Sequence, residues 1–371
     1  MKIALVAPAG VSNYPGHAIP ALMWLVERLA ARHTVKVYLV HRAAAPTHEN
    51  VLGAEVVNDG GTFRHLRTIQ SIEAEHRRAP FDVVHSIWAG TVGLVGGLAA
   101  RRIGRPHLVH IAGGELATLH DIGYGGGLSL RQRWTNRWVF RRAAVVSAAS
   151  APIIESARAY GVSVARIPLG VDRGTFPPRD PVARTRSRPV RLVQVASLNL
   201  IKDQGMLLRA VARLVAAGRD VELDIAGMDG MNGEIHALAG ALGIAARVRF
   251  HGLVDSARVR ELVERADIYV LSSLHEAGPL AVLEAAMLGV PTVGTRVGHV
   301  SEWAPQAALA GPPGDAAALA ANLVRLIDDD SLRLALAVEA QRRALADDAD
   351  CTARRFEAQY RAAARCDGGG G

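Results

Sequence analysis

The sequence predicts an α/β fold made of two doubly wound domains that face a central cleft. Short apolar runs alternate with longer helical patterns from one end of the chain to the other. These runs are continuously apolar, as in parallel sheets that helices cover on both faces. At 371 residues the chain is too long for one ordinary core and suits two domains. Because open α/β sheets bind ligands at the carboxyl ends of their strands, those ends should line the cleft.

The first half reads as strands separated by helices. The run IALVA is the first strand, and a helical pattern follows it from 17 to 31. A charge-free stretch over 83–100 is almost long enough to span a bilayer, but it contains His85, Ser86 and four glycines. We interpret it as a buried strand that runs into a helix. The strands of this half are expected at 3–7, 35–40, 82–87, 107–112, 143–148 and 164–169.

A loop rich in Pro, Arg and Asp separates the two halves. It occupies 177–189, so the domains are expected at 1–176 and 190–350. A final helix is expected within 351–371, able to pack back on the first domain and ending in a disordered glycine tail. The strands of the second half are expected at 190–196, 221–227, 247–252, 267–272 and 291–295.

Composition excludes several classes of protein. The net charge of +8 favours anionic ligands, but no nucleic-acid-binding motif accompanies it. Cys351 and Cys366 do not frame a disulfide scaffold, and the N-terminal apolar run is too short for a signal peptide. A cytoplasmic protein is therefore expected. Neither half opens with G-x-G-x-x-G, which argues against a dinucleotide enzyme.

The most informative stretch is LHEAGPLAVLEAAMLGVPTVGTRVGHVSE, over 274–302. Glu276 follows a buried strand, and an apolar helix begins after Pro279. The free N–H groups of its first turn can hold a diphosphate against Leu280 and Ala281. Glu276 can accept hydrogen bonds from sugar hydroxyls, and Glu284, with seven residues between the two, can accept them from a ribose. The pattern therefore predicts a site for a sugar joined to a nucleoside diphosphate.

This segment resembles the E-x7-E region of family 4 retaining glycosyltransferases, which have the GT-B fold. RIPLGVDRGTF, SLNLIKDQGMLLRA and FHGLVDSARVRELVERADIYVLSS resemble other conserved stretches of that family. The resemblance implies a Rossmann-like acceptor domain followed by a Rossmann-like donor domain. It implies metal-independent, retaining transfer from a UDP, GDP or ADP sugar, with no bound cofactor. The acceptor would be a glycan or a lipid-linked sugar, in cell-surface polysaccharide or glycolipid synthesis.

The resemblance also assigns roles to residues. Lys202, one of only three lysines beside forty arginines, would contact the donor phosphates as a compact point charge. Glu276 would contact the donor sugar and Glu284 the ribose, while backbone near Gly227 and Leu253 would line the base pocket. The full donor set is Gly16, Ser197, Asn199, Lys202, Gly227, Leu253, Glu276, Leu280, Ala281 and Glu284.

The chain departs from the family pattern at several positions. Ser197 occupies the position of a phosphate-binding arginine, for which Arg296 or an arginine of the first domain could substitute. Pro279 replaces a glycine and removes one N–H donor. The N-terminal Gly-Gly loop is reduced to Gly16 and His17. Ala112 stands where the family often has a catalytic histidine.

The acceptor side is expected in the glycine-rich loop over 112–127. His110, Glu115 or His120 could compensate for the missing histidine, and His85 ends the preceding strand. A histidine on a strand is more often a core residue, so both interpretations stay open for His85 and His110. The candidate catalytic residues are therefore Lys202, Glu276, Glu115, His110 and His85.

The segment RQRWTNRWVFRR predicts a basic helix with aromatic side chains. Trp134 and Trp138 lie one turn apart, with Arg137 between them. Such a helix can lie on an anionic membrane surface and present a lipid-linked acceptor. Alternatively, the tryptophans pack into the core and the arginines face water. The acidic clusters near the C-terminus suit helix caps, and no metal site is expected.

Two alternatives to a transferase remain. One is a GT-B relative with different chemistry, such as a sugar-nucleotide epimerase or a phosphorylase, although no pyridoxal lysine motif is present. The other is a sugar-nucleotide-binding partner without activity, which the changes at Ser197 and Ala112 favour. The two classes differ in turnover: a partner protein binds the donor and releases no product.

Overall fold

The computed structural model describes residues 1–13, 18–183 and 189–367, which form two compact units. The first unit is Met1–Gly170 together with the segment from Ala349 onward, and the second is Val171–Asp348. Each unit is a largely parallel sheet with helices, so the predicted α/β fold class is confirmed. The predicted glycine tail and Gly16 lie outside the described residues.

The sheet of the first unit has eight strands in the order β3-β4-β2-β1-β5-β6-β7-β8. Strands β3 and β4 form an antiparallel hairpin at one edge, and every other pairing is parallel. The sequence did not predict this hairpin, because β3 is a mostly polar, exposed edge strand. The strands are β1 (Lys2–Ala7), β2 (Thr34–Leu39), β3 (Thr47–Val51), β4 (Ala54–Asn58), β5 (Val83–Ile87), β6 (His107–Ile111), β7 (Val145–Ala148) and β8 (Val164–Arg166).

Helices cover both faces of this sheet. One core lies between the sheet and the first helix, which begins at Pro20, where its fixed φ favours helix initiation. A second core surrounds Tyr38 and Phe81 on the other face. The five helices within the first 170 residues are α1 (Pro20–Ala30), α2 (Arg64–Arg78), α3 (Gly90–Ile103), α4 (Leu130–Arg142) and α5 (Ala151–Arg158).

The sheet of the second unit is entirely parallel, with the order β11-β10-β9-β12-β13-β14. This is the doubly wound order in which the strand sequence reverses beside the first strand, where such sheets bind ligands. The short last strand was not predicted from the sequence. The strands are β9 (Val190–Val195), β10 (Val221–Ala226), β11 (Val248–Gly252), β12 (Ile268–Leu271), β13 (Thr292–Thr295) and β14 (Ala308–Gly311).

The remaining α-helices in the described part of the chain alternate with the strands of the second sheet or follow its last strand. Seven belong to the second unit, namely α6 (Gln204–Ala216), α7 (Glu234–Ala241), α8 (Ser256–Glu264), α9 (Leu280–Met287), α10 (Gly298–Trp303), α11 (Ala316–Asp328) and α12 (Asp330–Ala346). The last helix, α13 (Ala349–Asp367), packs against α1 of the first unit and buries Phe356 and Tyr360 there. No helix in the described part of the chain is both long and apolar enough to cross a membrane.

The described part of the predicted linker is bound to the second unit. The Arg179 N–H donates to the Met287 carbonyl at 3.0 Å, and the Gln341 side chain donates to the Arg179 carbonyl at 2.6 Å. Gly289, at the end of α9, has φ +73° and lies against this segment. A Cβ atom there would lie 2.6 Å from the Arg179 carbonyl oxygen, so glycine is required both for the backbone angle and for the close approach.

Gly289→Ala is expected to destabilise the second unit by about 2–3 kcal/mol, through the left-handed backbone and the steric clash together. Native-state hydrogen exchange of the β13 amides would measure the change. Gly243→Ala is the control, because Gly243 has φ +70° with nothing within 4 Å of an added Cβ. If both variants lower the free energy of unfolding by the same amount, the close contact with Arg179 contributes nothing to the cost of Gly289→Ala.

Candidate functional site

The loop between β9 and α6 holds Lys202 in a fixed position. The Asn199 side-chain oxygen accepts hydrogen bonds from the N–H groups of Ile201 and Lys202, both at 3.1 Å. The fully buried Gln204 side chain donates to the Ser197 carbonyl at 3.2 Å. Asp203 then caps α6 by accepting from the Met206 N–H at 3.1 Å. The loop is thus fastened at both ends, and the ammonium group of Lys202 has a defined place.

Lys202 and Glu276 form an ion pair at the carboxyl ends of β9 and β12. Their Nζ and Oε1 atoms are 2.5 Å apart, and the lysine side chain remains 27% exposed. The Ser273 hydroxyl donates to the same Glu276 oxygen at 2.7 Å. The Ser273 carbonyl in turn accepts from the Thr295 hydroxyl at 2.6 Å. A partly exposed cation is therefore held beside a carboxylate whose direction neighbouring strands fix.

Helix α9 begins four residues after Glu276. Its N-cap residue Pro279 makes no side-chain cap hydrogen bond, and Leu280 and Ala281 in its first turn are half-buried. The N–H groups of a first helical turn have no partner within the helix and carry partial positive charge. This end of α9 and Lys202 together offer an anion a charged group and oriented donors.

Glu284 lies one turn further into α9 and is buried, with 6% of its surface exposed. Burial raises the pKa of its carboxyl to about 8. Its carboxylate makes no hydrogen bond to any residue in the described ranges. Both Glu276 and Glu284 raise the pKa of the buried Tyr269 hydroxyl, after burial itself, so the two glutamates lie near one side chain. A buried carboxylate without a partner suits a ligand that brings hydroxyl donors.

The other predicted donor-site residues lie around this centre. Ser197 is exposed, and Leu253 is 65% exposed at the end of β11. The Gly227 N–H donates to the Gly252 carbonyl at 2.8 Å, and a Cβ at Gly227 would lie 2.0 Å from the Ala196 carbonyl oxygen. Arg296 is exposed and forms no ion pair with a residue that the structure describes.

In the first unit, Glu115 is buried and its carboxylate is fully engaged with backbone. One oxygen accepts from the N–H groups of Ala89 and Ala112 at 3.0 and 3.3 Å, and the other accepts from Gly113 at 2.7 Å. Burial raises the pKa of Glu115, and these N–H groups oppose that rise. The side chain therefore ties the loop after β5 to the glycine-rich loop after β6. No other acceptor-loop residue among the predicted candidates is buried, since His120 is exposed and Ala112 half-buried.

His85 and His110 are fully buried beneath α13. The His85 Nδ1 atom is 2.7 Å from the Tyr360 hydroxyl, and its ring centroid is 4.6 Å from that of Phe356. His110 bonds to the Ser147 hydroxyl at 3.0 Å. Burial lowers the pKa of His85 well below its usual range and that of His110 to about 3. Both rings are therefore buried neutral groups, which favours the core interpretation over a catalytic one.

Helix α4 presents an aromatic and basic surface. Trp134 is 71% exposed, Leu130 is 68% exposed, and Arg137 is exposed between the two tryptophans. Trp138 is half-buried, and the Arg142 guanidinium lies 4.9 Å from the centroid of its ring. Only one of the two predicted tryptophans therefore projects fully into solvent.

Sequence reasoning missed the groups that support the site. Ser273, Thr295 and Gln204 orient the charged residues, and Tyr269 lies near both glutamates. Small polar residues at the ends of otherwise apolar strands were the available signal. Within 1–13, 18–183 and 189–367 no three His, Cys, Asp or Glu side chains are grouped so that they could hold a metal ion.

Two family models match the chain. The family described as "Glycosyl transferases group 1" matches residues 189–329, and "Glycosyl transferase 4-like domain" matches residues 18–170. D-inositol 3-phosphate glycosyltransferase 2 of Catenulispora acidiphila is 31% identical over 277 residues, which are 68% of this chain and 64% of that protein. MMP alpha-(1->4)-mannosyltransferase of Mycolicibacterium hassiacum is 29% identical over 70% of this chain and 62% of its own length. The chain thus spans less than two thirds of these relatives.

Solved structures resemble the chain over almost its whole length. Sucrose-phosphate synthase from Thermosynechococcus elongatus has a TM-score of 0.77 at 18% identity, covering 97% of this chain and 98% of that one. HepE of Anabaena, solved in complex with UDP and glucose, has a TM-score of 0.74 at 19% identity, covering 98% of this chain and all of that one. At this identity the likeness establishes the fold.

Proposed function

Because this chain belongs to the family 4 glycosyltransferases of GT-B fold, we propose that it transfers a sugar from a nucleotide-diphosphate donor to a glycan or lipid-linked acceptor, with retention of anomeric configuration. The observation that carries this proposal is the Lys202–Glu276 pair beside the first turn of α9. The relatives named as glycosyltransferases support it and do not favour an epimerase or a partner without activity. The UDP and glucose complex of HepE supports a UDP-type donor.

In the proposed reaction, the protein binds, orients and stabilises charge. The leaving diphosphate lies against the N–H groups of Leu280 and Ala281, and Lys202 moves from Glu276 to its oxygens. Glu276 is then free to accept hydrogen bonds from the donor sugar, and Glu284 accepts them from the ribose. The C1–oxygen bond to the diphosphate breaks as the acceptor oxygen bonds to C1 from the same face. The acceptor proton passes to the leaving diphosphate, which balances the charge.

A thermal-shift panel tests the donor. It contains UDP, GDP, ADP and their common sugar conjugates, each at about a hundred times its dissociation constant, where binding adds about 2.7 kcal/mol. We expect one base to raise the melting temperature by roughly 5 °C or more. If none of the nucleotides changes the melting temperature, the donor proposal is contradicted.

We expect turnover to be the same in EDTA and in Mg²⁺, because Lys202 and the α9 amides supply the positive charge that a metal would otherwise supply. The measurement is release of the nucleoside diphosphate from the donor that the panel identifies. A metal-dependent glycosyltransferase assayed in parallel is the control for chelation. A rate that falls in EDTA and recovers with added Mg²⁺ would overturn this part of the mechanism.

We also propose that α4 places the enzyme on the inner face of an anionic membrane, with Leu130 and Trp134 in the headgroup region and Arg137 near the phosphates. An arginine near such a surface contributes about 1 kcal/mol. Arg137→Glu should therefore lower partitioning into anionic vesicles about tenfold or more. Arg77→Glu, at an exposed position of α2, is the matched control. Equal partitioning of the two variants and the wild type would rule out docking through α4.

A further inference from the structure

A cavity of about 770 Å³ opens in the first unit, at the edge of the sheet where β6 and β7 begin. The ends of α3 and α4 and one face of α13 surround it, with Ala362 and Ala363 contributed by α13. Because parallel strands begin at one edge and end at the other, this cavity is remote from the glycine-rich loop that follows β6. It is therefore distinct from the site expected for the acceptor. Its volume lies within the range of small-molecule sites.

The charges around the cavity are all of one sign. Arg101, Arg105 and Arg142 line it, and no carboxylate among the described residues does. None of the three arginines forms an ion pair with a residue that the structure describes, and the Arg142 guanidinium lies over the Trp138 ring. Three arginines that line one cavity together with no described carboxylate favour an anionic ligand.

The rest of the wall is apolar or small. Alanines, glycines and Val145 form most of it, and they give the cavity a mainly apolar surface. His107 is the exception: it is 4% exposed, its Nε2 lies 2.9 Å from the Ser86 hydroxyl, and its Nδ1 has no hydrogen-bond partner among the residues that the structure describes. An apolar pocket with cations on its wall fits an amphiphile, with an anionic head on the arginines and an apolar body inside.

We propose that this cavity binds a phosphorylated amphiphile, whose phosphate contacts Arg101, Arg105 and Arg142 and whose apolar part fills the space against Ala362 and Val145. Nothing in this assignment depends on the donor site, which lies in the other unit. The ligand could reach the cavity as a free phosphate ester or as a lipid headgroup in a membrane. The shared chemistry is a phosphate monoester joined to an apolar chain.

The test is isothermal titration of the full chain with hexyl phosphate, inorganic phosphate and hexanol. We expect hexyl phosphate to bind about tenfold more tightly than either partial ligand, because only it uses both the arginines and the apolar wall. Arg101→Gln combined with Arg142→Gln should weaken its binding about tenfold or more. Ala362→Trp changes no charge, occupies the cavity from an exposed position of α13, and should abolish binding.

The matched control is Arg77→Gln combined with Arg78→Gln. The control arginines and the two substituted cavity arginines, Arg101 and Arg142, all lie in the last turn of a helix, where a positive charge also interacts favourably with the helix dipole. The control therefore removes the same charge from the same kind of position, without changing the cavity. Equal weakening by the control pair, unchanged binding in Ala362→Trp, or no binding of hexyl phosphate would each overturn the proposal. If a phosphate ligand also binds at the donor site in the second unit, none of these variants should change that binding. Failure of the donor proposal and failure of this one are therefore distinguishable.

Vesicles distinguish the two sources of the ligand. The vesicle arm uses the Arg137→Glu background, which removes the contribution of α4. Binding of soluble hexyl phosphate together with vesicles containing phosphatidic acid, both lost when Ala362→Trp is added, supports a lipid headgroup. Binding of hexyl phosphate without such vesicle binding supports a free ester. Vesicle binding that persists in Ala362→Trp, without binding of hexyl phosphate, would show that the cavity holds no ligand.

Discussion

Lys202→Ala is expected to lower the rate of sugar transfer at least about 100-fold, the usual loss when one group that stabilises developing charge is removed. Lys202 is a partly exposed cation at the carboxyl ends of the strands, and its Nζ lies 2.5 Å from a Glu276 oxygen. On donor binding it would exchange this carboxylate for the leaving diphosphate. The alanine variant leaves Glu276 without its counterion and the diphosphate without its point charge, so both donor binding and turnover should fall.

The control is Lys36, a well-paired lysine on β2 of the first unit. Lys36 lies 2.7 Å from Glu55 and 3.2 Å from Glu75, and its side chain is 11% exposed. Lys36→Ala also removes a paired lysine, but in the first unit, whereas the proposed donor site lies in the second, and the turnover per folded molecule should be unchanged. Lys202→Arg should recover part of the rate, because it restores charge without the compact shape of an ammonium. Wild-type turnover in a folded Lys202→Ala protein would exclude a phosphate contact.

Glu284→Gln is expected to stabilise the unliganded protein while weakening nucleotide binding. Burial raises the folded-state pKa of Glu284 to about 8, above its value of 4.5 in the unfolded chain. Between pH 4.5 and 8 the folded chain therefore holds a proton that the unfolded chain has released. The free energy of unfolding falls as pH rises through this window, by as much as about 4 kcal/mol. Glutamine has no such titration, so the variant should gain most above pH 8.

Nucleotide binding should show the opposite effect. Ribose hydroxyls donating to Glu284 favour its charged form, so binding near pH 7 should release a proton. A neutral glutamine loses the charge-assisted part of these hydrogen bonds, and affinity should fall about tenfold or more. Titration calorimetry in buffers of different ionisation enthalpy measures the affinity and the released proton. Unchanged affinity and no proton release would remove Glu284 from the ribose role.

Glu222→Gln provides the matched control in the same unit. The Arg249 guanidinium, 2.8 Å away, lowers the pKa of the Glu222 carboxyl. The Glu222–Arg249 pair therefore stabilises the folded chain at pH values above the pKa that Glu222 has in the unfolded chain. This stabilisation is lost as pH falls through the lower pKa of the folded state. The glutamine variant should therefore be less stable than the wild type at neutral pH, with nucleotide affinity intact. Stabilisation of both variants at pH 8 would show that burial of Glu284 is not the cause.

Most strands of both sheets could be predicted because their apolar runs are local signals. Glu276 and Glu284 could be proposed from their spacing and context, and Lys202 from the family resemblance and its rarity. The Lys202–Glu276 contact could not be predicted, since 74 residues separate the two in the chain. The β3–β4 hairpin was missed because β3, with the sequence THENV, is an edge strand whose residues are mostly polar and exposed. His85 and His110 looked like catalytic candidates because no local pattern shows that Phe356 and Tyr360, more than 200 residues later, cover them.

The position of helix α13 in the chain, after the second unit, determines which of the two units can finish folding first during synthesis. The first 170 residues leave the ribosome well before the helix that completes their core, because the whole second unit is translated in between. Until then the sheet face around His85 and His110 lacks Phe356 and Tyr360 as its cover. The second unit has all its own strands when residue 348 emerges, so it can finish folding first. The nascent first unit is the one that a chaperone would have to protect.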